Sequence, residues 1–404
     1  MPSLRRGSCI SSFSESDLFP LLAGSPLKSE RRLLYLSAMR TDSGSHPHRM
    51  RDYTKTPLNI YWEVTQACGL ACRHCRAEAM PKPHPNELTF SEGLSFLRQI
   101  PEFGSPLPQL ILTGGDPLLR RGLFPFIDEA RRLGIGVSIT PAATSALTYT
   151  VLSELKNHDV KAVGLSLDGS TAERHDSIRG VSGTFDRTLD AIRWAGELEM
   201  PLQINTLVSA ETAPDLPAIY ELLKAFPIAR WSLFFLISVG RGKVLQPLTA
   251  HEAEDLMTWI YNTSKAAPFV VATTEAPSYR RVALQRMRTE GLTGEEIRHS
   301  KTARGFGIRD GHGIVFVSST GDICPAGFLP QVTGNVRTDS IVEVYRGAPI
   351  FRLLHEPHSF KGRCGTCEYH ALCGGSRARA FQATGDSLAS DPLCTFSPSK
   401  TGLQ

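Results

Sequence analysis

Residues 58–75 read LNIYWEVTQACGLACRHC. The first seven, Leu58 to Val64, are an apolar, aromatic and β-branched run of strand length. Directly behind it stand Cys68, Cys72 and Cys75 at C-x3-C-x2-C spacing. Working outward, short apolar runs alternate with helical patterns. Phe90 to Phe103 reads as a helix with Ser91 as candidate cap, and Gln109 to Thr113 as a buried strand running into Gly114-Gly-Asp-Pro117. Strands at 136–140, 162–168, 202–207 and 231–237 alternate with helices at 123–133, 149–157, 184–199 and 215–226. Such alternation predicts an α/β fold with a parallel sheet covered by helices. Six βα units give a partial (β/α)6 TIM-type barrel rather than a closed eight-fold one.

The 404 residues allow two or three domains at about 150 residues each. With 41% hydrophobic and 21% charged residues, disordered and collagen-like chains are excluded. A net charge of +4 is too small to argue for nucleic acid. No apolar run reaches the roughly 18 residues of a membrane helix. Arg5 and Arg6 are followed by no apolar block, so no secretory signal is read and a cytoplasmic, reducing setting is expected. Residues 1–52 are Ser- and Arg-rich and read as a flexible N-terminal extension, with Cys9 an incidental thiol and Met1, Met39 or Met50 as the start. Residues 53–245 form the barrel and 246–305 a helical bridge. Residues 306–404 form a small loop-rich domain holding five of the nine cysteines. A domain with so little core needs a staple, which metal ligation supplies.

Cysteines grouped at short spacing in a reducing compartment point to metal. Three thiolates on one loop can hold three corners of a [4Fe–4S] cubane and leave the fourth iron open to a ligand. The rival is zinc on the same three with His74. The C-x3-C-x2-C spacing, with Thr113-Gly-Gly-Asp-Pro117 resembling a GGEP motif with Asp for Glu, is similar to the radical S-adenosylmethionine (SAM) enzymes over about residues 57–396. That resemblance implies SAM chelated to the open iron, its reductive cleavage to a 5′-deoxyadenosyl radical, and hydrogen abstraction from a peptide or small-molecule substrate. It implies an electron donor such as flavodoxin or ferredoxin. It places Gly114, Gly115, Asp116 and Pro117 at SAM, the alternative being a plain βα turn capped by Asp116. Ser166 and Asp168 share a strand face. Asp168 is the candidate catalytic proton acceptor, or else a loop cap. Arg179 is expected to pair with a carboxylate of SAM or substrate, or to form a surface salt bridge. Asn205 and Ser238 resemble further pocket-lining positions. The segment Glu275 to Arg281 is unusual and admits a substrate contact or a polar surface helix.

Cys364, Cys367, Cys373 and Cys394 follow C-x2-C-x5-C-x20-C, which resembles the SPASM domain that carries auxiliary iron–sulfur clusters. The chain departs from the full pattern, since Arg377 stands where a cysteine is expected. One auxiliary [4Fe–4S] cluster on these four is therefore expected, with a zinc ribbon as alternative. Cys324 also falls at a family position, where it replaces one ligand, faces substrate or is no ligand. Arg76-Ala-Glu78 resembles a subgroup related to haem-pathway and peptide-maturation enzymes. The expected function is a radical SAM oxidoreductase modifying a peptide or protein. The alternatives are tetrapyrrole side-chain chemistry and a non-catalytic iron–sulfur or zinc protein.

Overall fold

A computed structural model of the chain describes residues 51–398. Strand β1 (Asn59–Thr65) buries Ile60, Trp62 and Val64 completely and leaves Asn59 and Tyr61 half-covered. Over Asn59–Trp62 this is the period-two alternation of a strand with one face on a core; beyond it Glu63 and Thr65 are buried as well. The chain continues through α1 (Phe90–Gln99), β2 (Gln109–Gly114), α2 (Leu123–Arg132), β3 (Val137–Ile139), α3 (Tyr149–Asn157) and β4 (Ala162–Ser166). Two helices, α4 (Ala172–Arg179) and α5 (Thr184–Glu197), precede β5 (Leu202–Val208); α6 (Leu216–Leu223) leads to β6 (Arg230–Phe235). Then come α7 (Ala250–Ala266), β7 (Val270–Thr274), α8 (Ser278–Thr289), α9 (Gly294–His299), β8 (Ile314–Val317), β9 (Asp322–Cys324) and β10 (Gly334–Asn335). Four short helices close the chain: α10 (Ile341–Gly347), α11 (Pro349–His355), α12 (Gly362–Gly365) and α13 (Arg377–Thr384).

All ten strands form one open sheet in the order β10-β9-β8-β1-β2-β3-β4-β5-β6-β7. From β8 to β7 every pairing is parallel; β9 and β10 return antiparallel. The outer face carries Leu110, Leu112, Val137, Ile139, Val163, Leu165 and Ile204, buried under helices that contribute Phe96, Phe126, Leu152 and Ile192. The inner face is polar and half-covered at Thr113, Ser138, Ser166, Gln203 and Asn205. The partial barrel thus has a dry outside and a wettable inside, as a fold that binds a polar ligand within it requires.

Several expectations change in detail. Thr89, not Ser91, caps α1, in a capping box with Glu92. The helix gives way to a 3₁₀ turn at Ile100–Phe103, where Pro101 lacks the N–H to continue it. The segment 246–305 is not all helical, because β7 pairs in parallel with β6. The loop-rich segment contributes β8–β10 to the same sheet. Arg51, from the end of the extension, donates to Pro57 O at 2.6 Å and Leu107 O at 3.1 Å. Residues 1–50 of that extension, with Cys9, Met39 and Met50, lie outside the described residues. Among the described residues no helix is long and apolar enough to cross a membrane.

Candidate functional site

The cysteine loop, the Gly114–Pro117 segment, Asp168 and Ser238 all follow the C-terminal ends of parallel strands, where such barrels gather their sites. Three backbone bonds fix the cysteine loop. Cys68 N–H donates to Met80 O (2.8 Å), Arg73 N–H to Ile178 O (2.9 Å) and Arg241 N–H to Cys75 O (3.1 Å). Each sulfur accepts a donor: Cys68 from Leu70 N–H at 3.3 Å, Cys75 from Ala79 N–H at 3.4 Å, and Cys72 from the Arg179 guanidinium at 3.7 Å. Burial pushes the Cys68 thiol up to about 11. A metal's charge is what makes a thiolate stable in such a place.

Gly114 and Gly115 are needed because β1 and β2 nearly touch at this end. A Cβ on Gly114, whose φ is +147°, would lie 2.2 Å from Thr65 O, and one on Gly115 2.3 Å from Ala67 O. The N–H groups of Gly115 and Asp116 donate to Thr65 O and Ala67 O at 2.8 and 2.7 Å. What this segment can offer a ligand's ammonium is therefore carbonyl oxygen. The Asp116 carboxylate is used internally: it accepts from Leu118 N–H, Ala142 N–H and, at 2.9 Å, Thr144 Oγ1. It stitches the β2 and β3 loops together, and Pro117 opens a 3₁₀ turn behind it.

Asp168 and Arg179 are placed differently from expectation. They pair with each other at 2.6 Å, both buried, and Asp168 also accepts Leu207 N–H at 2.7 Å. Burial pushes the Asp168 carboxyl up, but Arg179, His74, His175 and the Leu207 N–H together outweigh it and hold the carboxyl below its ordinary range. An ionised, ion-paired carboxylate is a weak base. The arrangement makes Asp168 an anchor for Arg179, and Arg179 a donor to Cys72. His175 accepts Asp168 N–H at 3.0 Å through Nδ1, and burial holds its pKa down at about 4. His74 is likewise depressed by burial to about 4, and its buried Nδ1 has no partner.

Ser166 and Asn205 are register neighbours on the polar inner face, and Asn205 Oδ1 accepts Gln203 Nε2 at 2.7 Å. Ser238 is half-buried in the segment after β6 that closes over the cysteine loop. A Cβ on Gly240, at φ +51°, would lie 2.6 Å from both Cys75 O and Arg76 O. Sequence reasoning missed Arg76 as a structural tie. It pairs with buried Glu63 at 2.8 Å and lies 4.7 Å from the Phe316 ring centroid. The available signal was Glu63, a lone acid inside an apolar strand.

Cys364, Cys367, Cys373 and Cys394 line one cavity with Arg281, Tyr369 and Phe396. Cys324 is elsewhere, on β9 opposite Phe316, where Asp322, Arg76 and Glu63 are the charges that reach it; burial pushes its thiol up to about 12. The structure thus brings together the four and not the fifth. Among the described residues no three His, Cys, Asp or Glu side chains converge on one metal ion. Zinc needs its ligands at about 2.0–2.3 Å from one point, whereas a cubane takes one thiolate per iron.

A Radical SAM superfamily profile matches residues 62–223. The chain is 36% identical over 356 residues to the AdoMet-dependent heme synthase of Oleidesulfovibrio alaskensis, covering 88% of this chain and 91% of that protein. The chain belongs to the radical SAM superfamily. This radical SAM chain is also 27% identical over 354 residues to the PqqA peptide cyclase of Rhodopseudomonas palustris, covering 85% and 88% of the two. Its fold is similar to Streptococcus suis SuiB bound to S-adenosylmethionine, with a TM-score of 0.64 at 18% identity over 85% of this chain and 78% of that one. As a radical SAM enzyme it uses SAM and a [4Fe–4S] cluster, and the reading as a non-catalytic metal protein is set aside. When bound, the cluster supplies the electron that cleaves SAM to the 5′-deoxyadenosyl radical, which abstracts a substrate hydrogen.

Proposed function

We propose that Cys68, Cys72 and Cys75 hold the SAM-cleaving cluster, with SAM lying against Gly114 and Gly115 and the polar inner face at Ser166, Asn205 and Ser238. Cys364, Cys367, Cys373 and Cys394 hold one auxiliary [4Fe–4S] cluster. The observation that carries this reading is the cradle at the strand ends. Three sulfurs, each with a donor, Cys72 buried and Cys68 and Cys75 half-buried, stand on the first strand's loop beside a glycine pair that only bare backbone fits. A flavodoxin- or ferredoxin-like protein in a reducing cytoplasm supplies electrons.

The substrate is a peptide or a tetrapyrrole. A peptide or protein is the first reading, supported by the peptide cyclase relative, which aligns over 85% of this chain. A tetrapyrrole side chain is the second, supported by the relative named for haem synthesis at 36% identity. Anaerobic reconstitution should give about eight irons per chain, two cubanes, and 5′-deoxyadenosine on reduction with SAM. Parallel incubations with an iron coproporphyrin and with short peptides encoded beside the gene, read by mass spectrometry, separate the two substrates. An iron-free, zinc-replete chain that leaves SAM intact would falsify the reading.

A further inference from the structure

Beside the auxiliary cavity stand two buried cations, Arg377 and Arg309, without an ion-pair partner among the described residues, whereas Arg281, which reaches Cys394 Sγ, is paired with Glu254. Arg377 is fully buried, and its guanidinium reaches Cys364 Sγ at 3.6 Å. Its other donors go to carbonyls: Gly375 O at 3.3 Å, Ser387 O at 3.1 Å and Ala389 O at 2.8 Å. Arg309, 3% exposed, donates to Gly307 O at 2.9 Å and Leu354 O at 3.0 Å. The Phe360 ring carries both cations, at 4.5 and 5.3 Å from its centroid. Among the described residues no carboxylate lies within 4.0 Å of either guanidinium. The nearby acids do not compensate. Asp391 is taken by Arg379 at 3.5 Å, and burial pushes Asp310 up and Glu275 up to about 8. Burial, then repulsion from Arg280 and Arg377, drives Arg309 down to about 9.

A buried cation without a counter-charge costs several kcal/mol, so the site is built for an anion. The backbone is shaped to bring the cations in. Gly374 and Gly375 both have positive φ, +72° and +67°. A Cβ on Gly375 would lie 2.6 Å from Arg377 Nη2 and 3.2 Å from Cys364 Sγ, and one on Gly374 2.8 Å from Arg309 Cδ. Every sulfur of the four also accepts a donor. Cys364 receives Asp391 N–H, Cys367 receives Tyr369 N–H and Cys373 receives Gly375 N–H, each at 3.4 Å; Cys394 receives Arg281 at 3.7 Å. A cubane with four thiolates is anionic, and one added electron makes it more so. Hydrogen bonds to sulfur, net charge and burial are what set its potential.

We infer that Arg377 and Arg309 are positioning residues that hold the auxiliary cluster's reduction potential high, which makes that cluster a redox centre and more than a brace for its domain. This rests on the auxiliary-cluster reading above. At the three-cysteine loop the one guanidinium on a sulfur is neutralised by Asp168, as Arg281 on Cys394 is by Glu254; the guanidinium of Arg377 on Cys364 has no such partner among the described residues. The departure of Arg377 from the cysteine expected there then has a purpose: a ligand is exchanged for a charge.

The test is EPR-monitored potentiometry of the reconstituted full chain, with the auxiliary signal taken as the one that SAM does not perturb. Arg377→Gln should lower its reduction equilibrium constant at least tenfold, about 59 mV for one electron, with Arg377→Lys recovering part of the shift. Arg309→Gln, farther from sulfur, should shift it in the same direction and serves if Arg377→Gln fails to fold. Variants that keep about eight irons with an unchanged potential overturn the inference. A wild-type chain that binds only about four irons overturns the auxiliary-cluster reading instead.

Discussion

Replacing Asp168 by Asn separates two accounts of the same carboxylate. Asn keeps the shape and can still accept the Leu207 N–H, but it cannot neutralise Arg179, whose guanidinium stays buried 3.7 Å from Cys72 Sγ. Removing one member of a buried ion pair costs about 3–5 kcal/mol. Unfolding entropy of about 2.1 cal/mol/K per residue over roughly 350 residues gives about 0.7 kcal/mol/K, so the midpoint should fall by about 4–7 °C. The assay is anaerobic calorimetry of the reconstituted enzyme. The control is the double variant Asp168→Asn/Arg179→Met, which removes both charges and should unfold above the single variant. An Asp168→Asn enzyme with the wild-type midpoint that cleaves SAM but turns over no substrate would refute this reasoning and restore the proton-acceptor role.

Three further outcomes follow from the geometry. Cys367→Ala should lose about four irons while Cys324→Ala keeps all of them, read by iron analysis of reconstituted protein; equal loss in both would place Cys324 among the ligands. Gly115→Ala puts a methyl 2.3 Å from Ala67 O and 2.6 Å from Gln66 O, backbone atoms that cannot rotate away. It should cost about 1–3 kcal/mol and weaken SAM binding by equilibrium dialysis, whereas Gly347→Ala, which meets nothing within 4 Å, is the neutral control. Burial depresses His175 and His355 to about 4 and His312 to about 3, below the usual value of about 6.5. The unfolded chain therefore takes up protons first as pH falls, so stability is full above about pH 6.5 and is lost on the way down to about pH 4. Thermal midpoints across that range should fall, and the paired change His312→Gln and His355→Gln should flatten the slope.

The barrel was legible because its strands are short, apolar and separated by amphipathic helices, and the cysteine spacings could be read directly from the chain. Strand β7 was hidden because only five residues, Val270–Thr274, interrupt two long helices. Helix α4 was hidden because AERHDSIR has almost no apolar stripe, and its boundary rests on the Thr171 cap and Gly180 at φ +71°. The pairing of Asp168 with Arg179 was invisible for a different reason. Either residue reads equally well as facing solvent, ligand or its neighbour, and only the return of α4 over the cysteine loop decides. Arg377 was noticed as a departure from a pattern, but its meaning needed the distance to Cys364 Sγ.

Strand β1 links the glycine cradle to the C-terminal segment mechanically. One edge pairs with β2, whose end carries the glycine cradle, and the other pairs with β8, matching Trp62 to Val317. Arg76, one residue beyond Cys75, reaches across to the Phe316 ring of β8 while holding Glu63 of β1. A hinge between the barrel and its C-terminal segment would have to strip β8 from β1 and leave a row of unpaired N–H and C=O groups on a central strand. The ladder therefore ties β8 firmly to the strand that carries the first cysteine loop.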